Sequence, residues 1–145
     1  MYTRCTFSDI IAERCTTTIG VVPVVKTVLV ADDDAMGLKL IEDIVTVAGY
    51  LVIAARDGRQ AVEAARLHMP DLILMDVMMP VLDGYGAVAQ LKSDVKTKDI
   101  PVVMITAVDS GYFKELAFSL GAVDYITKPF SVKHLISRIS QHLTR

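Results

Sequence analysis

The pattern of apolar residues predicts an α/β fold, a doubly wound parallel sheet with helices on both faces. Three observations carry this. From residue 27 onward, short strand-like runs alternate with amphipathic helical stretches five times. The strand-like runs are short and almost wholly apolar, as strands covered on both sides require. The residues that follow four of the five runs are polar and chemically related: carboxylates, a hydroxyl and an amine.

Thr27–Ala31 reads as the first buried strand, ending at Asp32-Asp33-Asp34. Leu38, Ile41, Val45 and Ala48 recur at helical spacing and mark the first helix, which Gly49 ends. Strand two is expected over Tyr50–Ala54. Helix two covers Gly58–His68 with Ala61, Val62 and Ala65 inward, and Pro70 lies beyond its end. Leu72–Met75 is strand three, leading into Asp76. Met79-Pro80 and Asp83-Gly84 are turn signals. Tyr85–Ser93 is helix three, Pro101–Ile105 strand four, and Phe113, Leu116, Ala117 and Leu120 mark a helix four closed by Gly121. Val123–Ile126 is strand five, followed by Lys128-Pro129. Val132, Leu135, Ile136, Ile139 and Leu143 form helix five. A chain of 145 residues suits one such domain. Residues 1–26 lack a steady period and read as an N-terminal extension, with a helical turn expected around Ser8–Arg14; the domain proper is expected over 27–145.

Composition narrows the function. Apolar residues make up 52% of the chain and aromatics 6%, with no Trp, so the core is aliphatic. The formal charge is −2 without a dense basic run, so direct nucleic-acid binding is not expected. Lys92, Lys96 and Lys98 read as a solvated helix end and loop. The two cysteines, Cys5 and Cys15, lie in the N-terminal extension, which argues against a disulfide scaffold and fits a reducing cytoplasm. No apolar run is long enough for a membrane span, and Asp9, Glu13 and Arg14 interrupt any signal-peptide core.

In an open parallel sheet, ligands bind beyond the carboxyl ends of the strands. Those ends deliver Asp32, Asp33 and Asp34, then Asp76, Thr106 and Lys128. Carboxylates gathered at one edge repel each other unless a cation sits among them, and hard oxygen ligands without His or Cys favour Mg²⁺. A carboxylate can act as nucleophile and become an aspartyl-phosphate, while a metal, an amine and a hydroxyl neutralise the phosphoryl oxygens. Each residue alone has an ordinary explanation, and Asp34 reads as the N-cap of the first helix. Their gathering at one edge does not.

The runs Val28-Leu-Val-Ala-Asp-Asp33, Asp71-Leu-Ile-Leu-Met-Asp76-Val-Met-Met-Pro80-Val-Leu-Asp-Gly84, Ile105-Thr106-Ala107 and Asp124-Tyr-Ile-Thr-Lys128-Pro-Phe130 resemble the receiver domains of bacterial two-component response regulators. The resemblance covers about residues 27–145, with all four runs in order. It implies a flavodoxin-like (βα)5 fold with strand order 2-1-3-4-5, and Asp76 as phosphoacceptor. The donor would be a phosphohistidine on a sensor histidine kinase or a histidine phosphotransfer protein. Asp33 would bind Mg²⁺ directly, Asp32 largely through water, with Asp76 and the Met78 carbonyl as further ligands. Three consecutive Asp residues leave a shift of one position open. The resemblance also implies Lys128 and Thr106 at the phosphoryl group, Thr106 and Tyr125 as a switch pair, a cis Lys128–Pro129 peptide, and a readout face on helix four, strand five and helix five. Such a protein is a phosphoacceptor switch rather than an enzyme with its own substrate. With nothing after Arg145, the chain resembles stand-alone receivers.

A rival reading takes Asp32-Asp33-Asp34 as the D-x-D of a haloacid-dehalogenase-like phosphatase with Asp32 as nucleophile, although Met36 stands where Thr or Val is usual. Gly84-Tyr-Gly86-Ala-Val-Ala89 imitates a dinucleotide fingerprint but does not come straight off a strand. Met75, Met78 and Met79 read as packing around the acidic site. His68, His134 and His142 read as surface residues.

Overall fold

A computed structural model describes residues 25–143. Residues 1–24 of the extension, with its expected helical turn and both cysteines, lie outside the described residues. The chain runs β1 (Thr27–Ala31), α1 (Ala35–Val47), β2 (Leu51–Ala55), α2 (Gly58–His68), β3 (Leu72–Met75), α3 (Gly84–Ser93), β4 (Val102–Thr106), α4 (Gly111–Leu120), β5 (Asp124–Thr127) and α5 (Val132–Leu143). All four strand pairings are parallel and the order is β2-β1-β3-β4-β5, the flavodoxin-like α/β arrangement.

The alternation of side chains along each strand splits the core in two. Leu29, Ile73, Met75, Val102 and Met104 face α2, α3 and α4, packing on Ala61, Val62, Ala65, Val88, Leu91 and Ala117. Val28, Val30, Leu72, Leu74, Val103 and Ile105 face α1 and α5, packing on Leu38, Ile41, Val45, Leu135 and Ile139. Truncating a fully buried leucine such as Leu135 would cost about 2–5 kcal/mol.

The predicted helices are present, but three strands start and stop one residue later than their apolar runs suggest. β2 is Leu51–Ala55 because it pairs residue for residue with Thr27–Ala31, and Tyr50 falls in the turn before it. β4 takes in Thr106, and β5 runs from Asp124 to Thr127, because Ile105 and Thr106 pair with Ile126 and Thr127. Ladder hydrogen bonds, not hydrophobicity, set these ends. Nor are all five strands covered on both sides. β2 is an edge strand, and Leu51 is 59% exposed.

Helix starts are capped by acids placed for it. Asp34, Asp57 and Asp83 precede α1, α2 and α3, and each side chain accepts a backbone N–H three residues on. α3 begins at Gly84, one residue earlier than expected, and only glycine fits there. A Cβ at Gly84 would lie 2.2 Å from the Asp76 carbonyl oxygen. That close approach seats the start of α3 against the backbone of Asp76. Gly84 and Gly86 thus serve the turn into the helix, not a phosphate cradle.

Candidate functional site

Four loops meet at the carboxyl ends of the strands. β1 ends at Ala31 and hands the chain to Asp32, whose carboxylate is only 1% exposed. Both of its oxygens are engaged. Oδ1 accepts the Asp34 backbone N–H at 3.0 Å, and Oδ2 accepts from Lys128 Nζ at 3.0 Å. β3 ends at Met75 and delivers Asp76, whose Oδ1 accepts the Val77 N–H at 2.7 Å. Its Oδ2 meets Lys128 Nζ only at 3.5 Å. Asp33 is exposed on the loop above. Carboxylate oxygens of Asp32, Asp33 and Asp76 lie within 4.8 Å of one another, the spacing a single small cation can bridge.

The electrostatics follow from this crowding. Burial pushes the Asp76 carboxyl above the ordinary carboxylate range and the Asp32 charge adds to that, against the pull of Lys128. Burial alone would lower the Lys128 amine, but its hydrogen bond to Asp32 and the charges of Asp76 and Asp32 outweigh it and raise it. One ammonium faces an excess of carboxylates. A hard dication fits such a donor set, and its chemistry would be charge neutralisation beside a phosphoryl group.

Thr106, the last residue of β4, is buried, and its Oγ1 accepts the Val108 N–H at 3.3 Å. Tyr125 on β5 donates its hydroxyl to the Val108 carbonyl at 2.6 Å. Both halves of the expected switch pair therefore hold the same residue of the β4–α4 turn, Val108, one through its N–H and the other through its carbonyl. The Tyr125 hydroxyl is pushed up to about 12, first by burial and then by neighbouring Tyr85. Lys114 lies over the Tyr125 ring, 5.9 Å from its centroid.

Arg56, just after β2, donates from Nη2 to the Asp33 carbonyl at 3.3 Å and so braces the acidic loop. Several readings of single residues need correction. Met75 and Met79 are buried in the core, whereas Met78 is 67% exposed. Lys92 is not a solvated helix end. Its amine reaches the carbonyls of Lys98 and Ile100 at 3.0 and 2.7 Å, and burial draws its basicity down. His68 and His134 are exposed as expected, but the His142 side chain is only 8% exposed. His142 Nε2 lies 3.0 Å from Asp124 Oδ2, which also accepts from Arg138 at 2.8 Å. Asp124 sits at the start of β5, at the other end of the strand from Lys128, and nothing local in the sequence announces a partner two turns along α5.

A family model described as the response regulator receiver domain matches residues 28–140. Among curated proteins, the chain is 40% identical over 118 residues to "Probable transcriptional regulator ycf27" of Guillardia theta, covering 81% of this chain and 45% of that protein. It is 40% identical over 120 residues to the alkaline phosphatase synthesis transcriptional regulatory protein PhoP of Bacillus subtilis strain 168, covering 83% and 49%. Among solved structures, it resembles the receiver domain of sensor histidine kinase PA1611 from Pseudomonas aeruginosa PAO1, which has a magnesium ion coordinated in its active-site cleft. The TM-score is 0.78 at 30% identity, over 84% of this chain and all of that one.

Fold, acidic edge and family match together define a phosphoacceptor signalling module. The chain belongs to the response regulator receiver domain family, whose members act in two-component signal transduction. The chain spans about half the length of the curated relatives it matches. The phosphatase reading is set aside by the family match and by Asp32 itself, whose buried carboxylate has both oxygens already bonded. The expectation of no nucleic-acid contact draws no support from these relatives, two of which are named transcriptional regulators. Among the described residues, no helix is long and apolar enough to cross a membrane.

Proposed function

We propose that Asp76 accepts a phosphoryl group from a phosphohistidine on a sensor kinase or a histidine phosphotransfer protein, in the cytoplasm, and that this changes what the domain binds. The observation that carries the reading is the contrast within the acidic group. Asp76 is 12% exposed with one oxygen held only at 3.5 Å, while Asp32 is sealed and doubly bonded. The Asp76 carboxylate attacks phosphorus, a P–O bond forms, the P–N bond to the donor imidazole breaks, and the imidazole leaves.

Asp32, Asp33, Asp76 and the Met78 carbonyl would hold Mg²⁺, which when bound neutralises charge on the phosphoryl oxygens. Lys128, already between Asp32 and Asp76, is placed to transfer its contact from Asp76 to the incoming group. The Thr106 hydroxyl, bonded only weakly to Val108 N–H, is free to turn toward it. Because Thr106 and Tyr125 both hold the backbone of Val108, one at its N–H and the other at its carbonyl, movement of one loosens the hold on the other. The ring of Tyr125 then turns inward, and the surface of α4, β5 and α5 presents the phosphorylated state to a partner. Residues 27–145 form this unit, with residues 1–26 as an extension to it.

Magnesium titration by calorimetry tests the ligand assignment. Asp33→Asn should weaken binding about tenfold or more, and Asp34→Asn should leave it within about twofold, since Asp34 caps α1. The reverse ranking would move the metal-binding pair along by one residue.

A further inference from the structure

Lys114, near the start of α4, bridges the β4–α4 turn and β5. Helix side chains slant toward the N-terminus, so the Lys114 stem runs back toward the turn that precedes α4. Its ammonium lies over the Tyr125 ring, 5.9 Å from the centroid, and 3.4 Å from Asp109 Oδ1. Asp109 follows Val108 in that turn, and Val108 is the residue whose carbonyl accepts from the Tyr125 hydroxyl at 2.6 Å. Tyr125 is therefore gripped in two ways: at its hydroxyl by Val108 and on its face by Lys114. Local helix stability does not ask for a lysine here. The first turn of α4 carries no acidic residue and forms the positive end of the helix dipole, where a cation is disfavoured.

The two grips respond differently when the ring turns inward. A hydroxyl can exchange one acceptor for another. The ammonium is less free to follow. The Lys114 side chain is 43% exposed and that of Asp109 69%, so the pair stands in water. Following the ring inward would strip the hydration of the charge and pull it from Asp109. The lysine stays, and the ring leaves it. We propose that Lys114 is a positioning residue for the switch: its ammonium, seated on the Tyr125 ring, favours the resting arrangement and so sets how much phosphorylation of Asp76 must supply to turn the ring. This rests on the reading of Tyr125 as the moving ring. It also ties that motion to α4, the helix to which Lys114 belongs. An exposed contact of this kind shifts an equilibrium about threefold, which sets a threshold without locking the switch.

The test uses the full chain carrying 3-fluorotyrosine, with the Tyr125 fluorine resonance assigned by its loss in Tyr125→Phe. Beryllofluoride with Mg²⁺ serves as the phosphoryl mimic and acetyl phosphate as the small donor. Lys114→Gln removes the charge at an exposed position and should keep normal labelling of Asp76. At sub-saturating beryllofluoride it should raise the ratio of displaced to resting Tyr125 about threefold. Lys114→Arg keeps a cation over the ring and should return the ratio to within about 1.5-fold of wild type. An unchanged or lower ratio in Lys114→Gln, or an equal rise in Lys114→Arg, with Asp76 labelling intact, would overturn the role of Lys114 and leave the phosphoacceptor reading standing. A wild-type Tyr125 signal that ignores beryllofluoride while Asp76 still labels would remove the switch reading and this proposal together. Failure of wild-type labelling at Asp76 would bring down the site assignment, and the role of Lys114 with it.

Discussion

The two ends of β5 carry charge in opposite balance. Beyond its last residue, Lys128 is the one cation among the described residues that is paired with Asp32 and Asp76, with Asp33 close by. At its first residue, Asp124 is gripped by Arg138 and His142 and accepts the Tyr125 N–H as well. The same side chain titrates differently in the two places. Burial drives the Asp76 carboxyl up. Burial acts the same way on Asp124, yet hydrogen bonds from His142, Tyr125 N–H and Arg138 outweigh it and bring that carboxyl down. Where hydrogen-bond partners saturate the acid, the contact is a rivet that pins α5 to the sheet. Where acids outnumber cations, the protein holds an unmet electrostatic demand, and that is where an external dication and a phosphoryl group can be recognised.

Substitutions at the two ends should therefore differ in sign as well as size. The largest effect is expected for Asp124→Ala, which leaves Arg138 and a buried His142 without their partner. Chemical denaturation should show a loss of about 2 kcal/mol, the low side of the range for a broken buried pair because Arg138 is 39% exposed. A loss below about 0.5 kcal/mol would mean the rivet is ornamental.

Lys128→Ala comes next. In metal-free protein it strands the buried Asp32 and should cost about 1–2 kcal/mol, with Mg²⁺ recovering part of the loss. If Mg²⁺ recovers nothing, lysine and metal are not answering the same demand.

The smallest effect has the opposite sign. Asp76→Asn in EDTA should stabilise the fold at neutral pH by about 1 kcal/mol or less. The folded form of Asp76 binds its proton more tightly than the unfolded chain does, so ionisation opposes folding, and the opposition is relieved as pH falls through the raised value. The gain from Asp76→Asn should fade toward acid pH. The Asp124 contribution runs the other way: it is present above the unfolded carboxylate value of about 3.9 and lost as pH falls through the depressed folded value. Parallel pH series on the two variants would therefore start on opposite sides of wild type and converge in acid.

The same contrast explains what could be read from the sequence. The acidic site was legible because its residues end a strand or follow one within two positions, so placing the strands placed the site. Strand ends were legible only to within one residue at β2, β4 and β5, since the ladder and not the apolar run decides them. The Asp124–Arg138–His142 rivet was not legible, because it depends on which turn of α5 lands on the start of β5. Nor was the reach of Lys92 to the carbonyls before β4, or that of Arg56 to the Asp33 loop. Long side chains crossing between elements leave no periodic signal. Asp34 was separable from its neighbours because an N-cap has a local signature, and the structure bonds it to Gly37 N–H.

Site-resolved mass spectrometry of the chain after incubation with acetyl phosphate and Mg²⁺ tests the central claim most directly. The account predicts one base-labile, hydroxylamine-sensitive phosphoryl group per chain, on Asp76, dependent on Mg²⁺ and absent from Asp76→Asn. A phosphoryl group on Asp32, or one that persists in Asp76→Asn, would contradict it.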